Sequence, residues 1–182
     1  MRVVFGKRAG ETATQFATDV GGSSDKVSGS HLVESESRLK GLFDRPNSNN
    51  DRIAKIRLEM GQIMNEHMAV FRDRQGMEGT LAKLVELRGR FAQITVGDKG
   101  RTFNTNLVFT LELGFMLDCA EAIALSALAR EESRGAHTRT DMPERDDENW
   151  LKHILVSRGA EEPAIEHLPV VITQWTPEER KY

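Results

Sequence analysis

The sequence holds a single cysteine, Cys119, in 182 residues. An internal disulfide framework is excluded, and this usage fits a reducing compartment. Cys119 lies in an apolar run, where a buried, inert thiol is expected. No charge sign dominates either: 25 Lys and Arg stand against 28 Asp and Glu, for a formal net charge of −3. This balance leaves no basic footprint for nucleic acid, and the interspersed signs argue against a basic helix lying on a membrane. Long uncharged runs are missing as well. Residues 107–129 form the longest low-charge stretch, yet Glu112, Asp118 and Glu121 interrupt it. Three ionisable groups are costly in lipid, so a buried helix is expected there and not a membrane span. The apolar start at Val3, Val4 and Phe5 is far too short for an export signal.

Catalytic motifs are equally scarce. There is no G-x-G-x-x-G, no P-loop and no G-x-S-x-G. His31, His67, His137, His153 and His167 are far apart and form no i, i+4 ligand pair. No E-x-x-H motif occurs, so a di-iron carboxylate bundle is unsupported. Asp118 and Glu121 share a helical face, but capping or buried ion pairing is the expected role there.

What is present is helical periodicity. Residues 3–19 read as a first helix with a small-residue side at Gly6, Gly10 and Ala13, ending in the glycine and serine loop at 21–24. Residues 25–45 carry Leu32, Leu39, Leu42 and Phe43, enough for a short helix. Turn residues at 46–50 supply a cap for the next one. Over 51–72, Ile53, Ile56, Met60, Ile63, Met64 and Phe71 recur at three- and four-residue steps. His67 shares that stripe as a core or boundary residue, and Met60, Met64 and Met68 read as packing. Gly76 breaks the pattern before a helix at about 77–94, with Met77, Leu81, Leu84, Val85 and Phe91 on one face. After the loop at 97–100, Asn104 or Thr105 caps a third helix to about 132, apolar nearly all round and so central. Gly135 suits its left-handed C-terminal stop. Residues 150–156 and 168–173 look like two strands joined by a loop.

The expected fold is therefore mainly α: an antiparallel three-helix bundle, preceded by a packing helix and followed by a long ordered loop and a small β-hairpin-like region. The divisions fall at 1–22 for the terminal helix, 23–50 for a linker with a short helix, 51–134 for the bundle and 135–182 for the C-terminal loop and β region.

Between the bundle and the strands lies a dense alternation of Arg, Asp and Glu with Gly135, Pro143 and Trp150. Such a loop is either a solvated charge run or a set of Arg–carboxylate pairs that fixes irregular backbone against another domain. Its residues, Ser133-Arg-Gly-Ala-His-Thr-Arg139 and then Asp141-Met-Pro-Glu-Arg-Asp-Asp-Glu-Asn-Trp-Leu-Lys-His153, resemble the C-terminal signature of succinate dehydrogenase and fumarate reductase flavoprotein subunits. Residues 3–10 resemble the helix that closes their FAD-binding domain, and 175–182 resemble their usual chain end.

The resemblance implies an FAD-containing parent that interconverts succinate and fumarate and passes electrons to an iron–sulfur subunit and onward to membrane quinone. The family's flavin-binding and substrate-binding segments have no counterpart in this sequence, so no catalytic, cofactor-binding or metal residue is carried over. The chain is expected to brace the flavin and capping domains and to be inactive alone. Its docking residues would be Gly6, Gly10, Arg134, His137, Arg139, Asp141, Arg145 and Asp146. The implied place is cytoplasmic, peripheral to the inner membrane through partner subunits. The alternative is an autonomous helical protein-interaction module derived from that family.

Overall fold

A computed structural model describes residues 2–21, 29–45, 52–159 and 162–178. The chain divides into two compact units, Met1–Asp44 and Arg45–Tyr182. The expected turn and cap at 46–50, most of the loop at 21–24 and the chain end at 179–182 lie outside the described residues.

In the first unit, α1 spans Arg2–Val20 and α2 spans Gly29–Asp44. The α1 backbone is supported along its length by local side-chain bonds: Lys7 pairs with Glu11 at 3.7 Å, and the Thr14 hydroxyl donates to the Gly10 carbonyl at 2.8 Å. Gly21 ends it with φ +57, the left-handed conformation that glycine adopts without a Cβ penalty. Phe5, Ala9, Ala13, Phe16 and Val20 fall at helical spacing on one side of α1. Phe5, Phe16 and Val20 are each at least 60 % exposed.

The second unit is built on three helices, α3 (Ile53–His67), α4 (Arg74–Phe91) and α5 (Thr105–Ala129). Their buried stripes meet in one core: Ile56 and Met60 from α3, Met77, Leu84 and Leu87 from α4, Leu113, Leu117, Ala120, Ala124 and Ala127 from α5. Alanines on the inward face of α5 let its backbone approach α4 closely. Cross-helix ion pairs give the directions. Arg90 grips Glu59 through two hydrogen bonds of 2.7 and 2.8 Å, and His67 at the end of α3 lies over Gly76 at the start of α4. Arg88, near the end of α4, reaches Asp118 and Glu121 at 2.6 and 2.7 Å. Arg74, at the start of α4, reaches Glu131 beyond the end of α5 at 3.3 Å. Successive helices are thus antiparallel.

Two small sheets complete the unit. β1 (Phe71–Arg72) pairs in parallel with β2 (Thr138–Arg139), and β3 (Lys152–Ser157) pairs antiparallel with β4 (Ala164–Pro169). A four-residue helix, α6 (Asp147–Trp150), leads into β3, which packs on α5.

Several local expectations are corrected. α3 stops at His67, so Phe71 leaves the apolar stripe and is 69 % exposed in β1. The N-cap position of α3 is Arg52, which makes no side-chain cap bond. Gly76 lies inside the first turn of α4, where its N–H donates to the N-cap Asp73 at 2.7 Å. Asn104 is the cap of α5, accepting from the Leu107 N–H at 2.8 Å. The outer face of α5 is uncovered: Val108, Phe109, Phe115 and Ile123 are about half exposed, and Cys119 is exposed with them. α5 ends at Ala129, and Gly135 uses its φ of +60 in a tight turn closed by reciprocal backbone bonds between Arg134 and His137. The second strand begins at Ala164, four residues earlier than expected. Pro169 is its last residue, where the missing N–H costs the ladder least.

Candidate functional site

The charged loop is fixed, and the device that fixes it is the end of one helix joined to the start of another. α5 terminates with carbonyls that have no partner within the helix. The Arg139 guanidinium, fully buried, donates Nη1 to the Arg130 carbonyl at 2.9 Å and to the Leu128 carbonyl at 3.4 Å. Its other edge makes a two-bond pair with Asp141, at 2.7 and 2.6 Å. Asp141 in turn accepts the backbone N–H of Arg74, the first residue of α4, at 3.1 Å. A cation therefore sits at the negative end of α5 and an anion at the positive end of α4, each favoured by the helix dipole, and the two are paired. Hydrogen bonding by Arg139 holds the Asp141 carboxyl well below the usual carboxylate range.

Glu132 is the second anchor, and the sequence reading did not single it out. Its carboxylate is fully buried and receives Arg130 Nη1 at 2.5 Å, Arg134 Nε and Nη2 at 2.7 and 2.9 Å, and the Asp146 N–H at 2.8 Å. Burial alone would raise its pKa. The bonds from Arg134, the Asp146 N–H and Arg130 outweigh that and hold it ionised. Arg134 extends the network to Asp147 at 2.5 Å, and Arg145 closes on the same Asp147 with bonds of 2.8 and 2.6 Å. Arg145 also donates to the Glu178 carbonyl at 2.8 Å, tying the loop to the tail.

Arg134, His137, Arg139, Asp141, Arg145 and Asp146 thus all lie in this loop, in three different roles. Arg134, Arg139, Asp141 and Arg145 form the ion pairs. Asp146 is the N-cap of α6, accepting from the Asn149 N–H and side-chain amide at 2.9 Å each. His137 contributes no ion pair: its Nδ1 lies 2.8 Å from Arg72 Nη1. Gly6 and Gly10 belong to α1, in the other unit, where a Cβ on either would meet nothing within 4 Å. Besides Glu132, sequence reasoning missed Arg72, Arg130 and Asp147. Only Asp147 carried a signal, as the second aspartate of the Arg-Asp-Asp triplet.

Among the described residues, no group of three or more His, Cys, Asp or Glu could hold a metal ion, and no helix is long and apolar enough to cross a membrane. Asp118 and Glu121 are ion-pair partners of Arg88, as expected, but the pairing is not buried: the Asp118 side chain is 62 % exposed and that of Arg88 39 %.

Residues 57–182 match the family model described as fumarate reductase flavoprotein C-term. The chain is 43 % identical over 183 residues to the fumarate reductase flavoprotein subunit of Escherichia coli, and 40 % identical to that of Haemophilus influenzae. Both alignments take in 99 % of this chain and 30 % of the relative. Among solved structures, the FrdA chain of an E. coli quinol fumarate reductase variant superposes with a TM-score of 0.90 at 41 % identity, covering 97 % of this chain and 30 % of that one. The Mycobacterium smegmatis Sdh1 complex with UQ1 superposes with a TM-score of 0.69 at 28 % identity, over 82 % of this chain and 25 % of that one. The chain spans less than a third of the length of these relatives, and it belongs to the fumarate reductase and succinate dehydrogenase flavoprotein family, of which it is the C-terminal part.

Proposed function

We propose that the chain is the bracing part of an FAD-dependent flavoprotein that interconverts succinate and fumarate, and that it does no chemistry alone. The supporting observation is a division of surfaces. The loop arginines Arg130, Arg134, Arg139 and Arg145 are paired with Glu132, Asp141 and Asp147 of the same loop, while the apolar stripe on α1 is exposed. An autonomous module would bury such a stripe or make it polar. The half-exposed phenylalanines and Cys119 on α5 offer a second surface of the same kind.

FAD is the cofactor of the family, and this chain's described residues do not suit it. A dinucleotide needs a glycine-rich turn between a strand and a helix to cradle its pyrophosphate. The parallel pair here is only two residues long, and no glycine-rich turn leads from either of its strands into a helix. No residue of this chain is therefore assigned to the flavin, and no reaction step is assigned to it.

In this reading α1, with Gly6 and Gly10, lies against the flavin-binding domain. Arg134, His137, Arg139, Asp141, Arg145 and Asp146 hold the loop in the shape that meets the neighbouring domains. Electrons leave for an iron–sulfur subunit and a membrane anchor reached through it, and the assembly is peripheral to the membrane on the cytoplasmic side. Divisions near 22, 50 and 134 separate the closing helix, the linker, the bundle and the C-terminal region.

The test is a chimera in which this chain replaces the matching part of the E. coli fumarate reductase flavoprotein subunit. The chimera is expected to retain flavin and to reduce fumarate, whereas this chain supplied with FAD and succinate reduces no dye. Turnover by the chain alone, or a chimera that folds yet holds no flavin, would overturn the reading.

A further inference from the structure

Glu112 interrupts the apolar outer face of α5. It is exposed, two turns into the helix. Its neighbours three and four residues away are Val108, Phe109, Phe115 and Met116, all apolar. Val108 and Phe109 are each 49 % exposed and Phe115 54 %, so the carboxylate stands among apolar side chains that are themselves open to water. Cys119, also exposed, lies two turns further along.

No cation of the bundle attends Glu112. α5 carries no Lys or Arg. In α3, α4 and α5, Glu59, Glu78, Glu86, Asp118 and Glu121 each pair with an arginine or lysine, and Glu66 lies 3.8 Å from His67. Glu112 is the one acidic residue of these three helices that forms no ion pair among the described residues. The carboxylates of the bundle are thus matched except where its apolar surface is left open.

These two observations constrain what covers the face. A wholly apolar partner would bury the phenylalanines favourably but strip water from the carboxylate, which offsets much of the gain. A partner that brings one arginine or lysine to Glu112 keeps both contributions favourable. The occupant can be large: this chain is 30 % of the length of the E. coli relative.

We propose that the outer face of α5 docks onto the upstream part of the flavoprotein, and that an arginine or lysine of that part seats on Glu112 between Val108, Phe109 and Phe115. The occupant follows from the bracing reading, and its chemistry follows from Glu112.

Cys119 serves as the reporter, since a thiol reagent reaches it in the docked state only when the face opens, and its rate tracks the open fraction. Glu112→Met and Glu112→Gln are made both in this chain and in the chimera. Each rate in the chimera is divided by that in the chain alone, which removes any direct effect of the carboxylate on the thiol. Met makes the face wholly apolar. Against an apolar occupant it slows labelling of the chimera. Against a cation it strands that charge and speeds labelling at least about tenfold, the scale of one hydrogen bond to a charged group. The expected result is that rise with Met, a rise in the same direction with Gln, and an unchanged urea midpoint for both variants in the chain alone. A Glu112→Met chimera that does not assemble, where the unsubstituted chimera does and the variant chain folds, also supports the pair. Unchanged or slower labelling with Met, or Gln equal to the unsubstituted chimera, overturns it. So does equal Cys119 labelling in the chain and the unsubstituted chimera. Protection that appears in the chain alone as its concentration rises assigns the face to a second copy and overturns the proposal too. None of these results touches the bracing reading where the unsubstituted chimera holds flavin and reduces fumarate. An unsubstituted chimera that folds without flavin counts against that reading, while the labelling ratios still decide the pair.

Discussion

Replacing Glu132 by Gln isolates the charge of one buried carboxylate with almost no change in shape. The native side chain accepts four hydrogen bonds, from Arg130, twice from Arg134, and from the Asp146 N–H. An amide turns one oxygen into a donor, which then faces either Arg130 Nη1 and Arg134 Nε or Arg134 Nη2 and the Asp146 N–H, so two donors lose their acceptor. The arginine side chains are partly exposed and can turn to water, which leaves a cost of about 1–3 kcal/mol. The two arginines also lose their counter-charge. Breaking a fully buried pair costs ~3–5 kcal/mol, but these side chains are 15 and 27 % exposed and Arg134 keeps Asp147, so that part is well under the full value. The sum is about 3 kcal/mol. For a chain of this length it lowers Tm by roughly 6–12 °C, at ~2–4 °C per kcal/mol. Glu131→Gln is the control: its side chain is 52 % exposed and, among the described residues, pairs with Arg74 alone, so it should cost less than about 0.5 kcal/mol. Thermal and urea unfolding followed by circular dichroism measure both variants. If Glu132→Gln unfolds within about 0.5 kcal/mol of its neighbour, the network does not hold the loop.

Two glycines of α4 should respond in opposite directions to alanine. At Gly76 a Cβ would lie 2.8 Å from His67 Nδ1 and 3.2 Å from its Cβ, so Gly76→Ala should destabilise by about 1–3 kcal/mol in urea unfolding, whereas Gly79→Ala, with nothing near, should stabilise by about 0.5–1 kcal/mol. Acid should weaken the fold over a defined window. Glu59, paired with Arg90 and Lys83, falls from 4.5 to about 2, and Asp147, paired with Arg145 and Arg134, falls from 3.8 to about 2. Depressed carboxylates contribute fully above their unfolded values, so stability should be level above pH 4.5 and fall as pH drops towards 2; a urea midpoint that does not move across that window would refute the pairing. Phe16→Asp, on the exposed stripe of α1, should leave this chain's urea midpoint unchanged and abolish flavin retention in the chimera; equal flavin content would remove α1 from the interface. Cys119 should react at once with a thiol reagent in this chain and be protected in the chimera, and equal rates in both would mean that the outer face of α5 stays uncovered.

How far the sequence revealed the fold depends on the range of the forces involved. The stripes of α3 and α4 were legible because burial imposes a three- and four-residue period, and Ile56, Met60 and Leu84 obey it, whereas α5 was legible only as a long apolar run. Asn104 was legible because a cap bonds to the third residue along. Gly135 was misassigned because a left-handed glycine suits several turns, and the carbonyls at the end of α5 are taken by Arg139, ten residues beyond Ala129. Nothing local announces such a partner. Cys119 shows the opposite case. Its apolar run predicted a buried thiol, yet Cys119 is exposed: whether an apolar run is covered depends on what packs against it, which no periodicity encodes.

The same distinction bears on the loop. Arg and carboxylate side chains are ordinarily surface groups, so a run of them reads first as solvated. Burying Arg139 and Glu132 is affordable only because each end of the network finds a fixed dipole or donor: α5 carbonyls for Arg139, the α4 N-terminus for Asp141, the Asp146 N–H for Glu132. Those groups exist only once α4 and α5 are packed antiparallel. The loop is therefore organised by the bundle, and a core change such as Leu117→Ala should loosen Asp141 and Glu132 along with the helices. Loop substitutions such as Glu132→Gln should leave the helical content of α3 to α5 in place below the melting transition.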